Sequence, residues 1–201
     1  MAEKAAENAI MAALRARRSI GRVKPDPLPR RLVERVIEAA TWAPNHHRTE
    51  PWRFVVVAGQ ARAALAEVMV ASLAGRLAGE EDERAAALLE KERNKPLRAP
   101  VLVAVAALPT DDGHAVEVEE VAAVAAAVQN MLLAAEALGL GAIWRTGEPA
   151  YDPAVKDFLR LPEDARLLAF VYLGYPQVVP AEEHVRDGSG YTTWMGWEQP
   201  S

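Results

Sequence analysis

Pro100-Val101-Leu102-Val103-Ala104-Val105-Ala106 is the stretch on which the fold turns. A strand with one wet face alternates apolar and polar residues, whereas this run is apolar throughout and opens on a proline. It reads as a short strand buried on both faces rather than as a sheet edge. Downstream, the polar turn Thr110 to His114 separates it from the longest helical stripe, in which Val121, Val124, Val128, Met131, Leu132, Ala135 and Leu138 share one face. Alanine fills much of the rest of that helix. Two of its faces can therefore approach other backbones closely, as in a central core helix or an oligomer interface.

Gly139-Leu140-Gly141-Ala142-Ile143-Trp144 reads as a helix stop followed by a further short strand. Asp152-Pro153 supplies an N-cap and an N1 proline for a helix carrying Val155, Phe158 and Leu159. Leu167 to Leu173 is the last strand, broken by Gly174-Tyr175-Pro176. The tail, Gln177 to Ser201, keeps Tyr191, Trp194, Met195 and Trp197, and so many aromatic groups predict packing on this subunit or on a partner.

Upstream, Trp52 to Val57 forms the first strand, entered from Pro51 and closed by Gly59. Ala5 to Arg17 gives a first helix ending in a basic run. Leu32, Val33, Val36, Ile37 and Ala40 give a second, stopped by Pro44, whose end opens the polar loop Asn45 to Glu50. Leu65, Val68, Met69, Leu73 and Leu77 form a third helical stripe. The charged stretch Glu80 to Lys95, with few anchors beyond Leu88 and Leu89, reads as a solvated or mobile arm. No internal repeat or linker divides residues 1–201, which predicts a single domain.

Composition narrows the chemistry. The chain has 201 residues, a formal charge of −5 and no cysteine, which removes disulfides, thiolate nucleophiles and iron–sulfur clusters together. The histidines are His46, His47, His114 and His184, and none lies in an HExxH or His-x3-5-His pattern, so a protein-held metal is not expected. The mild acidity argues against a general nucleic-acid binder. No apolar stretch reads as approaching the roughly 20 residues of a membrane span, and the first twenty residues carry charges where a signal peptide would be apolar. The expectation is a soluble, cytoplasmic protein. Electron-transfer chemistry would have to come from an organic cofactor.

Three polar spots lie where elements end: Arg17-Arg18-Ser19, Asn45-His46-His47-Arg48-Thr49-Glu50, and Arg145-Thr146-Gly147. A guanidinium beside a hydroxyl suits phosphate, which offers several oxygens for charge-assisted bonds. Arginines closing a helix also complement its dipole without any ligand. Gly139 and Gly141 begin like a dinucleotide fingerprint, but Trp144 stands where the third glycine belongs and the segment runs from helix to strand. No GxxxxGK loop or GxSxG elbow is present.

The order and wording of these segments resemble the FMN-dependent nitroreductase family, particularly its short-chain members. The likeness rests on Arg17-Arg18-Ser19, Ala39-Ala40-Thr41-Trp42-Ala43-Pro44-Asn45-His46, Glu50-Pro51-Trp52-Arg53-Phe54, Gly139 to Arg145, and Leu173-Gly174-Tyr175-Pro176. It implies an α+β fold with a central, mostly antiparallel sheet flanked by helices, built as an intertwined homodimer with FMN at the subunit interface. Carried onto this chain, Arg17, Arg18 and Ser19 contact the FMN phosphate and ribityl chain. His46 and Glu50 reach the flavin from the other subunit, and Trp144, Arg145 and Thr146 complete the site.

Two departures stand out. Glu50 replaces a glutamine common in the family and acts toward ribityl hydroxyls as an acceptor. The family's late Lys/Arg cluster shrinks here to Arg186, which shifts the phosphate's expected partners to Arg145 and the Arg17-Arg18 pair. Trp42 and Trp52 read as core or interface packing, and His47 as a solvated neighbour of His46. The implied activity is two-electron transfer from NADH or NADPH through FMN to nitroaromatic, quinone or similar flat acceptors. The alternatives are enone reduction, dehalogenation or flavin destruction on the same scaffold, a non-catalytic FMN store, or a cofactor-free interaction module.

Overall fold

In the computed structural model, β1 (Trp52–Ala58), β2 (Val101–Ala107), β3 (Gly141–Arg145) and β4 (Arg166–Gly174) form one antiparallel sheet in the order β1-β2-β4-β3. The structure describes the backbone of residues 2–8 and the complete residues 9–79, 82–110, 115–178 and 186–197. Every residue of β2 is buried, as its unbroken apolar run requires. Val101, Val103, Val105 and Ala107 face one core, while Leu102, Ala104 and Ala106 face the other.

The helices are α1 (Ala2–Ala16), α2 (Arg30–Thr41), α3 (Gln60–Arg76), α4 (Glu83–Arg93), α5 (Glu117–Ala137) and α6 (Pro153–Phe158). α2 and α5 cover one face of the sheet through Val33, Val36, Val124, Val128 and Met131. α3 and α6 cover the other through Leu65, Met69 and Val155. Burying each such side chain is worth about 1.5–3 kcal/mol. By length and composition α5 is apolar enough to cross a bilayer, which corrects the reading that no such stretch exists. Its alanines and valines serve close packing instead, with Val124, Ala127, Val128 and Met131 wholly buried against the sheet.

The two glycines between α5 and β3 do different jobs. Gly139, at φ +70°, ends α5: its N–H donates to Glu136 O at 3.0 Å and that of Leu140 to Ala135 O at 2.8 Å, the paired bonds of a Schellman stop. Gly141 lies opposite Gly174 in the β3–β4 register, and a Cβ on either would meet the segment Ile20–Val23. That segment is laced on by Ile20 N–H to Ala142 O (2.8 Å), Lys24 N–H to Tyr175 O (2.7 Å) and Gln177 N–H to Arg22 O (3.0 Å).

The charged stretch after α3 is not a free arm. Asp82 caps α4 by accepting from Ala85 N–H at 2.8 Å, Ala85 is buried, and Arg93 reaches Glu67 of α3 at 3.2 Å. The cap starts α4, and the buried Ala85 and Glu92 with the Arg93–Glu67 pair hold it in place despite its few apolar residues. The described tail aromatics do not pack on this subunit, one of the two surfaces expected to cover them. Tyr191, Trp194, Met195 and Trp197 are exposed on this subunit, because both cores close without them, and Trp42 is 79% exposed while Trp52 is buried. The expected turn at 111–114 and the tail residues 179–185 and 198–201 lie outside the described residues.

Asp152 caps α6, accepting from Ala154 N–H at 3.0 Å and bonded also by Ser72 Oγ, with Arg76 at 3.3 Å. Burial raises its pKa, but the bonds from Ser72, Ala154 and Arg76 outweigh that and hold the carboxyl below its ordinary 3.8. Its contribution to stability is therefore complete above the unfolded value and is lost as pH falls through the folded one.

Gly174→Ala would place a Cβ 2.7 Å from Val23 Cβ and 3.0 Å from Pro100 Cδ. It is expected to cost about 1–3 kcal/mol in urea unfolding. Gly75→Ala, in open space on α3, is expected to stabilise by about 0.5–1 kcal/mol. Asp152→Asn should flatten the loss of unfolding free energy on acidification below the ordinary aspartate range; an unaltered acid profile would contradict the role given to Asp152.

Candidate functional site

Alternation along β3 turns Ala142 and Trp144 toward one core and Ile143 toward the other, and Arg145 follows Ile143. At the end of the strand lies a cavity of about 280 Å³. Its apolar lining is Leu65 and Met69 of α3, Leu102 of β2 and Phe170 of β4. Lys95 and Arg98, in the link between α4 and β2, supply a polar wall, and Trp144, Arg145, Thr146 and Pro149 close the β3 side. Trp144 is fixed by donating Nε1–H to Leu168 O at 3.1 Å.

The guanidinium of Arg145 stands over the Tyr172 ring, 5.9 Å from its centroid. It fits beside Gly21, where a Cβ would come within 3.2 Å of Nη2. Lys95 Nζ pairs with Glu92 Oε2 at 2.5 Å. Arg98 and Arg145 have no carboxylate partner among the described residues. Burial pushes the Tyr172 phenol up to about 12, against the opposing pull of Arg98 and Arg145.

The Arg17-Arg18-Ser19 spot is carried toward this cavity. Ile20 bonds Ala142 while Val23 packs on Gly141 and Gly174, so the segment runs antiparallel to β3 and its upstream end points to Trp144–Thr146. Arg18 donates Nη1–H to the carbonyls of Arg15 and Arg17, the latter at 3.0 Å, which closes the end of α1. Arg17 is half-buried and Ser19 exposed.

The third spot lies elsewhere. Glu50 N–H donates to Asn45 Oδ1 at 3.0 Å across a tight turn, and His47, Arg48 and Glu50 hold φ of 55°, 55° and 49°. Left-handed backbone costs a non-glycine residue roughly 1 kcal/mol, so the turn is held by its context. His46 Nδ1 meets Glu119 Oε2 of α5 at 2.6 Å, and His46 stacks on His47 at 3.9 Å. An open groove of about 450 Å³ runs along His46, Glu119, Ala122, Ala123 and Ala126.

This turn feeds β1, at the opposite sheet edge from β3. Two strands intervene, a separation of about 14 Å at the usual inter-strand spacing. One chain thus brings Arg17, Arg18 and Ser19 toward Trp144, Arg145 and Thr146, and leaves His46 and Glu50 apart from them. Sequence reasoning missed Lys95, Arg98, Tyr172 and Glu119. The signal for Arg98 was its place between Pro96 and Pro100, with Lys95 directly before the first of them, which marks a fixed link rather than a solvated helix.

The chain matches the nitroreductase family model over residues 14–175. It belongs to the nitroreductase family. Within it, the chain is 31% identical over 181 residues to YdjA of Escherichia coli K12, named as an NAD(P)H nitroreductase, covering 89% of this chain and 95% of that protein. A nitroreductase-like family protein of Bacillus cereus shares the fold at TM-score 0.76 and 25% identity, over 94% of this chain and 96% of its own. A nitroreductase of Bacteroides fragilis with bound FMN follows at TM-score 0.69 and 26% identity, over 94% and 99%.

Alkaline titration followed by near-ultraviolet absorbance should show a tyrosine ionising only at about pH 12. Tyr172→Phe should abolish that step. Because the folded value lies above the unfolded one of about 10, the neutral phenol's contribution to stability is complete below the latter and disappears as pH rises toward the former. Persistence of the late step in Tyr172→Phe would assign it to another group.

Proposed function

We propose that two copies of this chain hold FMN between them and pass electron pairs from NADH or NADPH to a flat acceptor such as a nitroaromatic or a quinone. The observation that carries this reading is the division of the expected site between opposite sheet edges, which a second subunit would reunite. Exposed apolar groups support a second copy: Ile10, Met11 and Leu14 of α1, Trp42, and the tail aromatics.

The residues fit a phosphorylated flavin. Guanidinium groups of Arg17 and Arg145, with the Ser19 and Thr146 hydroxyls, match a phosphate and ribityl donor set, and Gly21 leaves space for the Arg145 side chain. His46 and Glu50 would come from the partner, with Glu119 holding the imidazole. Bound FMN would supply the electron exchange. The chain's own part is to grip the anionic end, place positive charge where negative charge grows, and keep water out with Leu65, Met69 and Phe170.

Arg145→Ala should weaken FMN retention by about 1.5–3 kcal/mol, read by equilibrium dialysis. Arg145→Ala and Glu50→Ala homodimers should each be impaired in NADPH oxidation with menadione. Mixed and re-equilibrated, they should regain about one quarter of intact sites, because half of the dimers then carry one undamaged site. No recovery on mixing, or a monomer that keeps its flavin, would refute the shared site.

A further inference from the structure

The turn between β3 and α6 is tied to α3 by side chains that a helix cap does not require. An N-cap needs one oxygen, and Asp152 uses Oδ1 for it, accepting from Ala154 N–H. Its Oδ2 accepts instead from Ser72 Oγ–H and from Arg76 Nη1–H, across 80 and 76 positions of chain. Arg76 Nη1–H also donates to Ser72 Oγ at 2.8 Å, and Nη2 lies 3.3 Å from Glu148 Oε2. One guanidinium thus brackets the turn Glu148–Ala150, with Glu148 on one side and the buried Asp152 on the other.

This turn belongs to the cavity region, because Thr146 just before it and Pro149 within it line the space at the end of β3. Its backbone bonds are internal, Ala150 N–H to Gly147 O and Tyr151 N–H to Glu148 O at 2.9 Å each. Pro149 and Ala150 are buried, but apolar contact is not directional, whereas bonds to a guanidinium fork are. Leu65, Met69, Ser72 and Arg76 succeed one another at helical spacing along α3. The face that supplies apolar lining to the cavity therefore continues into the clamp on the turn.

We propose that Arg76 and Ser72 are positioning residues for the flavin site: through Asp152 and Glu148 they hold the turn that carries Thr146 and Pro149. This role rests on the FMN site proposed above. A wall already in place costs no ordering when the ligand arrives, so the clamp adds to affinity without touching the flavin. Asp152 is the stronger arm, because its carboxylate is buried while that of Glu148 is exposed and screened.

The test reads FMN affinity by equilibrium dialysis of the full-length protein, with thermal unfolding of each variant alongside. Arg76→Ala should weaken FMN about five- to tenfold. Arg76→Lys, which keeps the charge but not the fork, should recover part of that, and Glu148→Gln should cost less than about twofold. Val155→Ala, in the core of α6 and outside the cavity lining, should lower the unfolding temperature at least as much while FMN affinity stays within about twofold. Because Arg76 acts through the turn, Thr146→Ala should weaken FMN by a smaller factor in the Arg76→Ala background than in the parent chain. FMN affinity that is unchanged in Arg76→Ala, that falls in Val155→Ala in step with stability, or that drops by independent factors in the double variant reduces the cluster to a support of the fold and overturns the inference. Those results leave the shared flavin site standing, whereas a parent chain that binds no FMN refutes that site and this inference together.

Discussion

A strand with no polar face has to be covered on both sides, and β2 imposes that requirement on everything around it. Val101, Val103 and Val105 call for one helical layer, and Leu102, Ala104 and Ala106 for another. α2 and α5 meet the first demand, α3 and α6 the second. With β2 and β4 filling the middle of the sheet, β1 and β3 become its edges, and the chemistry-bearing loops are the ones that enter or leave those edges.

That placement explains the character of the site. A group at a sheet edge can be half-buried yet reach outward, as Arg145 does over Tyr172. The close approach of Ile20–Val23 to Gly141 and Gly174 turns the chain after α1 into the wall of the same region. At the other edge, the strained turn before β1 presents His46 beside Glu119. The exposed apolar groups and the split site point the same way: the single chain closes its two cores and leaves its chemistry at the margins.

Legibility followed the range of the interactions. The Asp152-Pro153 helix start, the Gly139 stop and the buried strand were readable because cap, stop and period lie within a few residues of one another. The docking of α4 was not, since Arg93 meets Glu67 across 26 positions and the cap alone says nothing of what lies beneath. No chemical pattern in the sequence singled out Arg98, because only the folding of β4 beside its segment puts Tyr172 and the cavity within its reach. The alanine-rich α5 shows the same limit in reverse: its composition does not distinguish a bilayer from a sheet as the thing it packs against.

By itself the sequence determined the element types, the twice-covered central strand, the family and the arginines beside hydroxyls, because each is a matter of local pattern or of residues in order. The tertiary structure decided which of those residues meet. Strand order placed β1 and β3 at opposite edges, and backbone contact at two glycines drew Arg17–Ser19 toward β3. The physical reason is that proximity between distant segments is set by which edges and faces remain after the core is packed, a quantity no local window contains.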